Sequence, residues 1–287
     1  MNISNLIVPF TIADNAIKGR VIKLDSELDK IITHHNYPEP ITKILAELIM
    51  IASMIGTQFK EEVTLSVQLQ TDDAVKYIIA DFQSPNQIRG YAQFDNKVEY
   101  NRESYKEILK KAFLIVTIDR KIYNNQRYQG VVEINDMSIS EAVEKYFYQS
   151  EQIKTAIRFA VGDLILPGQD PRICAGGIMI QKLPENDELW NDAMAYFATI
   201  RDDELLDPNN KLETLLYSLY HEMDVRIYDY ISLINKCRCS REKAIEVLLS
   251  LGAKDAFELL VNNKIDINCQ FCNQSQIFNK KDLEMIF

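Results

Sequence analysis

The chain has 287 residues, 47% of them hydrophobic and 26% charged, with a formal net charge of −10. That is globular composition at a length suited to one large or two to three smaller domains, and its acidic balance argues against general nucleic-acid binding. The apolar stretches, such as 41–55, are broken by Thr42, Lys43 and Glu47, and none reaches the roughly 20 residues needed to cross a bilayer.

Residues 1–184 read as mixed α/β. Residues 40–59 carry Ile41, Ile44, Leu45, Leu48, Ile51 and Ile55 at helical spacing, one apolar face of a helix. Val63, Leu65, Val67 and Leu69 alternate with polar residues, the period of a half-buried strand. Asp72-Asp73 is a turn signal, and strands are expected over 75–82 and 88–94. Residues 113–118 and 130–134 flank a polar turn at Asn124-Asn125 and make a hairpin. A helix over 140–148 has Ser138 or Ser140 as its N-cap. Gly176-Gly177 precedes the apolar strand 178–180, and Pro184 closes the region.

The pattern then changes. Residues 185–232 have almost no strand signal. Trp190, Met194 and Phe197 fall at i, i+4 and i+7. After the breaker Asp207-Pro208-Asn209-Asn210, the residues Leu212, Leu215, Leu216, Leu219 and Met223 form a second stripe. These are amphipathic helices of a connecting module. No internal repeat or low-complexity stretch is visible.

Residues 233–287 contain four cysteines. Cys237-x-Cys239 is followed, after 29 residues, by Cys269-x-x-Cys272. Ser240 is the expected N-cap of a helix with Ala244, Ile245, Leu248 and Leu249 on one face, and Gly252 is its stop. A second short helix is expected over 256–261. Residues 265–269 alternate like a strand entering the Cys-x-x-Cys turn.

Spacing explains why the four thiols can reach one ion. In an extended segment residues i and i+2 point the same way, and a tight turn does the same for Cys269 and Cys272. Four thiolates around zinc at about 2.3 Å hold their sulfurs roughly 3.7 Å apart. A disulfide needs about 2.05 Å. The same sulfurs therefore either hold a metal or pair with one another. A segment of about 55 residues buries only about 60% of its unfolded surface, so the metal is expected to hold it folded. Lys236, Arg238 and Arg241 flank the first pair, and their charge should favour thiolates. The N-terminus lacks a basic segment followed by an apolar run, so no secretory signal is expected. A cytoplasmic protein with reduced thiols is the expectation.

Other candidates carry less. Cys174, between Ile173 and Ala175, reads as a buried structural thiol. His34-His35 read as surface residues, and His221 lies on an expected helix. Asp72-Asp73 and Asp202-Asp203-Glu204 read as solvated charge clusters. No phosphate-binding glycine loop, Gly-x-Ser-x-Gly or His-Glu-x-x-His motif is present.

The residues resemble the heat shock protein 33 family along most of the chain. The stretches that carry the likeness are Cys237-Arg238-Cys239-Ser240-Arg241-Glu242, Leu248-Leu249-Ser250-Leu251-Gly252 and Cys269-Gln270-Phe271-Cys272-Asn273. Upstream they are Tyr37-Pro38, Arg89-Gly90-Tyr91-Ala92, Ser150-Glu151-Gln152-Ile153, Gly176-Gly177 and Gln181-Lys182-Leu183-Pro184.

The resemblance implies an α+β protein in three parts. Residues 1–184 would be a core and dimerisation domain with β-sheets and packed helices, 185–232 a helical linker, and 233–287 a redox-switch zinc domain. It implies an ATP-independent holdase chaperone, not an enzyme. Reduced, it would hold one Zn2+ per chain through Cys237, Cys239, Cys269 and Cys272 and be inactive. Oxidation would form the disulfides Cys237–Cys239 and Cys269–Cys272, release the zinc, unfold the linker and produce a homodimer. Its partners would be unfolded or oxidatively damaged proteins, with no nucleic acid and no membrane. Trp190, Met194, Phe197, Leu212, Leu216, Leu219 and Met223 are then the candidate client-binding residues. Two other readings compete: a static structural-zinc interaction module, and a thiol–disulfide oxidoreductase, for which the βαβ setting of a thioredoxin is missing.

Overall fold

The computed structural model describes residues 4–120, 126–165, 168, 170–184 and 187–287; the turn expected at Asn124-Asn125 lies outside the described residues. The chain forms two compact units, Met1–Asn235 and Lys236–Phe287. Residues 185–232 fall within the first, as do Leu233, Ile234 and Asn235. Among the described residues no helix is long and apolar enough to cross a membrane.

In chain order the larger unit begins with β1 (Leu6–Ile12), β2 (Ile17–Leu24), α1 (Ser26–Thr33) and α2 (Glu39–Gly56). It continues through β3 (Val63–Thr71), β4 (Val75–Gln83), β5 (Gln87–Phe94), α3 (Ser104–Leu109), β6 (Ala112–Arg120) and β7 (Gln126–Ile134). Then come α4 (Ile139–Glu151), β8 (Thr155–Leu164), β9 (Arg172–Lys182), α5 (Asp187–Phe197), α6 (Asp202–Leu206) and α7 (Leu212–Tyr220). Three two-residue strands close it: β10 (Arg226–Ile227), β11 (Ile231–Ser232) and β12 (Ile234–Asn235).

Two sheets sandwich α2. One runs β10-β1-β2-β9-β8, with β11 also on β1; the other runs β12-β5-β4-β3-β6-β7. The helix packs on β3, β4 and β5 of one sheet and on β2, β8 and β9 of the other. It is therefore buried all round, not along the single face the spacing suggested, and even Thr42, Glu47 and Ser53 are enclosed. Glu47 is tolerated there because the Tyr105 hydroxyl donates to it at 2.7 Å and burial raises its pKa to about 7. Helix α4 starts at Ser138, whose hydroxyl accepts from the Glu141 N–H while the Glu141 carboxylate takes the Ser138 N–H. That reciprocal cap decides between the two candidate serines.

The sheet of β3 to β7 has one buried and one open face, so its strands alternate as expected. The β1-β2-β9-β8 sheet is covered on both faces. Ile7, Ile22, Leu24, Ala175 and Met179 face α2, whereas Val8, Phe10, Ile12, Val21, Ile178 and Ile180 face α5 to α7. Gly176-Gly177 lies inside β9 rather than before it. The reason is close approach: a Cβ at Gly176 would sit 2.4 Å from the Leu205 carbonyl oxygen. The 185–232 segment is not free of strands either, since β10 and β11 both pair with β1. Pro9, which has no N–H to donate, falls between these two short pairings.

The smaller unit contains α8 (Arg241–Leu251), α9 (Ala253–Glu258), β13 (Lys264–Asn268), β14 (Ser275–Asn279) and α10 (Lys280–Ile286). Strands β13 and β14 form an antiparallel hairpin. Ser240 caps α8 by accepting from the Lys243 N–H, and Gly252 ends it at φ 85°, as the spacing suggested. Helix α9 begins at once after Gly252, earlier than expected, and ends at Glu258. Ala244, Leu248, Ala256, Ile265, Phe278 and Leu283 make up the buried core.

Candidate metal centre and the helical cover

Cys237 and Cys239 lie in the irregular segment that runs into α8. Cys269 and Cys272 sit in the turn that closes the β13–β14 hairpin. That turn is fixed by two backbone bonds, Asn273 N–H to the Cys269 carbonyl at 2.8 Å and Cys269 N–H to the Gln274 carbonyl at 3.0 Å. Asn273 takes the left-handed conformation (φ 55°) that an asparagine tolerates. Arg241, the first residue of α8, clamps the hairpin to the helices. Its guanidinium donates to the Ile277 carbonyl at 3.0 Å, pairs with Asp282 at 3.3 Å and lies over the Phe278 ring at 4.2 Å.

The four sulfurs lie within 4.8 Å of one another, each on a partly exposed residue. The closest approaches run between the pairs: Cys237 to Cys269 at 3.6 Å and Cys239 to Cys272 at 3.4 Å. These separations are near the roughly 3.7 Å of a four-sulfur tetrahedron and far from a disulfide bond. All four thiols are free.

Electrostatics point the same way. Burial opposes ionisation of Cys237, but hydrogen bonds from the Cys239 N–H and the neighbouring thiols outweigh it and bring the sulfur down to about 7. Burial raises Cys239 and Cys272 instead, and each shares its hydrogen bonds with the other thiols. Four like charges this close cannot coexist unless a cation stands among them. The donor set of four soft sulfurs in tetrahedral spacing suits a thiophilic metal, with zinc the natural choice. The residues that would hold it are Cys237, Cys239, Cys269 and Cys272.

The linker stripes are brought together on the β1-β2-β9-β8 sheet. Trp190, Phe197, Leu212, Leu216, Leu219 and Met223 are buried there, and Met194 packs at the margin. Two residues fasten this cover, and the first of them was not singled out from the sequence. Lys23, 4% exposed, donates its ammonium to the carbonyls of Asp207 at 2.6 Å and Asn210 at 2.8 Å. Burial lowers its pKa, and the nearby Asp207 carboxylate partly offsets this. Gly176 is the other, through its contact with Leu205. The one available signal for Lys23 was a lysine inside the apolar stretch Val21-Ile22-Lys23-Leu24.

Among the remaining candidates, Cys174 is buried, and burial together with Asp25 and Asp163 pushes its thiol up to about 11. It is an unreactive thiol. His35 stacks on Tyr37 at 5.1 Å, and His34 is exposed. The ring Nδ1 of His221 lies 3.1 Å from the Tyr217 carbonyl. Asp202 and Glu204 belong to the first turn of α6.

The family described as "Hsp33 protein" matches residues 5–279. A 33 kDa chaperonin of Caulobacter vibrioides is 33% identical over 285 residues, covering 95% of this chain and 94% of its own. One from Pseudomonas fluorescens is 32% identical over 288 residues, covering 97% and 92%. The crystal structure of a 33 kDa chaperonin, a heat shock protein 33 homologue from Thermotoga maritima, superposes with a TM-score of 0.82 at 20% identity. The match covers 98% of this chain and 97% of that one.

Proposed function

The chain belongs to the Hsp33 family, and from that premise we propose that it is a redox-regulated, ATP-independent holdase chaperone of the cytoplasm. The observation that carries this reading is the cluster of four reduced thiols within 4.8 Å, at metal-holding spacing, in a unit with little core of its own. The relatives' name, chaperonin, supports a chaperone.

In the reduced state the four sulfurs bind zinc and hold residues 233–287 folded. Each pair of thiolates gives two electrons to one equivalent of peroxide or hypochlorite and forms one S–S bond, the oxidant being reduced to two hydroxides or to chloride and hydroxide. Cys237 joins Cys239, and Cys269 joins Cys272. Disulfide sulfurs carry no negative charge and cannot retain the cation. With six buried residues for a core, the small unit then has too little apolar burial to stay folded.

The cover is the second element of the switch. Its last pairing, Ile234–Asn235 on β5, ends two residues before Cys237, so disorder can spread along the chain into 185–232. Release of α5 to α7 bares Phe10, Ile12, Val21, Ile178 and Ile180 together with the linker stripes. That is contiguous apolar surface of the kind that captures unfolding proteins. Residues 1–184 remain as the core on which two copies associate. The net charge of −10 turns the surface away from polynucleotides.

The test is paired: metal release and light scattering from an aggregating client, before and after hypochlorite. One zinc released per chain with suppression only in the oxidised form is expected. Equal suppression in both forms would reject the switch and leave a static metal-binding module.

A further inference from the structure

The face of the β1-β2-β9-β8 sheet beneath α5 to α7 is charged as well as apolar, and its charge has one sign. Among the described residues, the charged side chains it turns towards these helices are all cations: Lys23 on β2, Lys182 on β9, Arg158 on β8 and Lys154 just ahead of β8. Alternate residues of a strand share a face. No Asp or Glu falls at the strand positions in phase with Phe10, Val21, Ile178 or Ala156.

The cover answers each of the four cations. Lys182 donates to the Asp187 carboxylate at 2.7 Å and Lys154 to the same oxygen at 3.0 Å. These hydrogen bonds hold the Asp187 carboxyl down at about 2. Arg158 donates twice to Asp202, at 3.0 and 3.3 Å, and Lys23 is held by the carbonyls of Asp207 and Asn210. Over residues 185–232 twelve acidic residues stand against three basic ones, so this segment carries −9 of the chain's −10. Sheet face and cover match in charge as well as in apolar surface.

We propose that this face, once the cover leaves it, selects clients by charge. It takes unfolded segments whose apolar residues are interleaved with Asp and Glu, and it disfavours segments interleaved with Lys and Arg. This selection rests on the holdase reading above and names the client class of its sheet. Release of 185–232 removes the partners of Lys23, Lys154, Arg158 and Lys182 together and leaves the four cations around Phe10, Ile178 and Ile180. A segment bearing carboxylates restores the lost pairs, whereas one bearing ammonium groups sets like charge against like. The strands hold the four cations in place, while the acids of the released segment disperse along a disordered chain. The sheet therefore sets the preference.

The experiment is fluorescence anisotropy of two labelled peptides on the full chain, reduced and oxidised. Both peptides carry leucines at the spacing of Leu212, Leu215, Leu216 and Leu219; the intervening positions are Glu in one and Lys in the other. The oxidised chain should bind the Glu peptide at least about tenfold more tightly than the Lys peptide, and added salt should narrow the gap. Lys154 and Arg158 are more than a third exposed, so the double variant Lys154→Glu/Arg158→Glu should fold, which its zinc content when reduced will report. In that variant the preference for the Glu peptide should fall at least about tenfold. A Lys peptide bound as tightly as the Glu peptide, or more tightly, would overturn the selection, as would a preference unchanged in the variant. Client light scattering on the same samples reads the holdase separately. Suppression without charge preference sinks this inference alone, and loss of both suppression and peptide binding sinks the two together.

Discussion

In the larger unit α2 buries sixteen of its eighteen residues between two sheets, whereas the smaller unit closes over six buried side chains and a ring of thiols. The larger unit stores its stability in packed apolar surface, which no mild oxidant reaches. The smaller one, on the function proposed above, would store it in sulfur atoms that are partly exposed and chemically convertible. The contrast teaches that a fold element can be made switchable by resting its stability on a reactive group rather than on burial.

The sharpest way to break the contrast is to remove the metal. Structural zinc contributes about 10–16 kcal/mol in small finger peptides. A strong chelator, or Cys269→Ser, should therefore abolish hydrogen-exchange protection throughout 236–287 while β3 and β6 stay protected. A small unit still protected in the metal-free protein would show that its core suffices.

Core truncation should do the reverse. Leu48→Ala in α2 removes a fully buried side chain and should cost about 2–5 kcal/mol of the larger unit's stability in a denaturant titration. Metal content per chain should not change.

A titration separates the units more finely. Glu47 has its pKa raised from 4.5 to about 7 by burial, against the opposing Tyr105 hydrogen bond and Lys43 charge. The folded chain therefore holds this proton more tightly than the unfolded chain. Its contribution is fully present below pH 4.5 and is lost as pH rises towards 7. The loss is up to about 3 kcal/mol, and Glu47→Gln should flatten that slope in the larger unit's unfolding profile.

The smallest expected effects compare two caps. Ser138→Ala and Ser240→Ala each remove one side-chain cap, worth about 1 kcal/mol. The first should be absorbed by α4, which packs on β7 and β8. The second falls on α8, where only Ala244 and Leu248 are buried. It should lower the oxidant concentration needed for half-maximal metal release.

How much of this was legible follows from the same physics. The strands over 63–94 could be read because one face of their sheet is open and period-two alternation survives. Strands β1, β2 and β8 could not, because burial on both faces erases that alternation. Gly176-Gly177 looked like a strand boundary because the contact that requires Gly176, the Leu205 carbonyl, is distant in sequence. The linker stripes were visible since each helix shows one face to the sheet. The convergence of the four thiols was legible because their spacing constrains them strongly. Lys23 was not, since its partners are backbone carbonyls that leave no trace in the sequence.

The central claim is that metal retention and disulfide formation exclude each other, and that order in 236–287 follows the metal. Zinc release and hydrogen exchange should be recorded on the same oxidised sample. The account predicts loss of one zinc per chain together with loss of protection across 236–287, while β3 to β6 remain protected. Oxidised thiols with the zinc retained and the small unit still protected would contradict it.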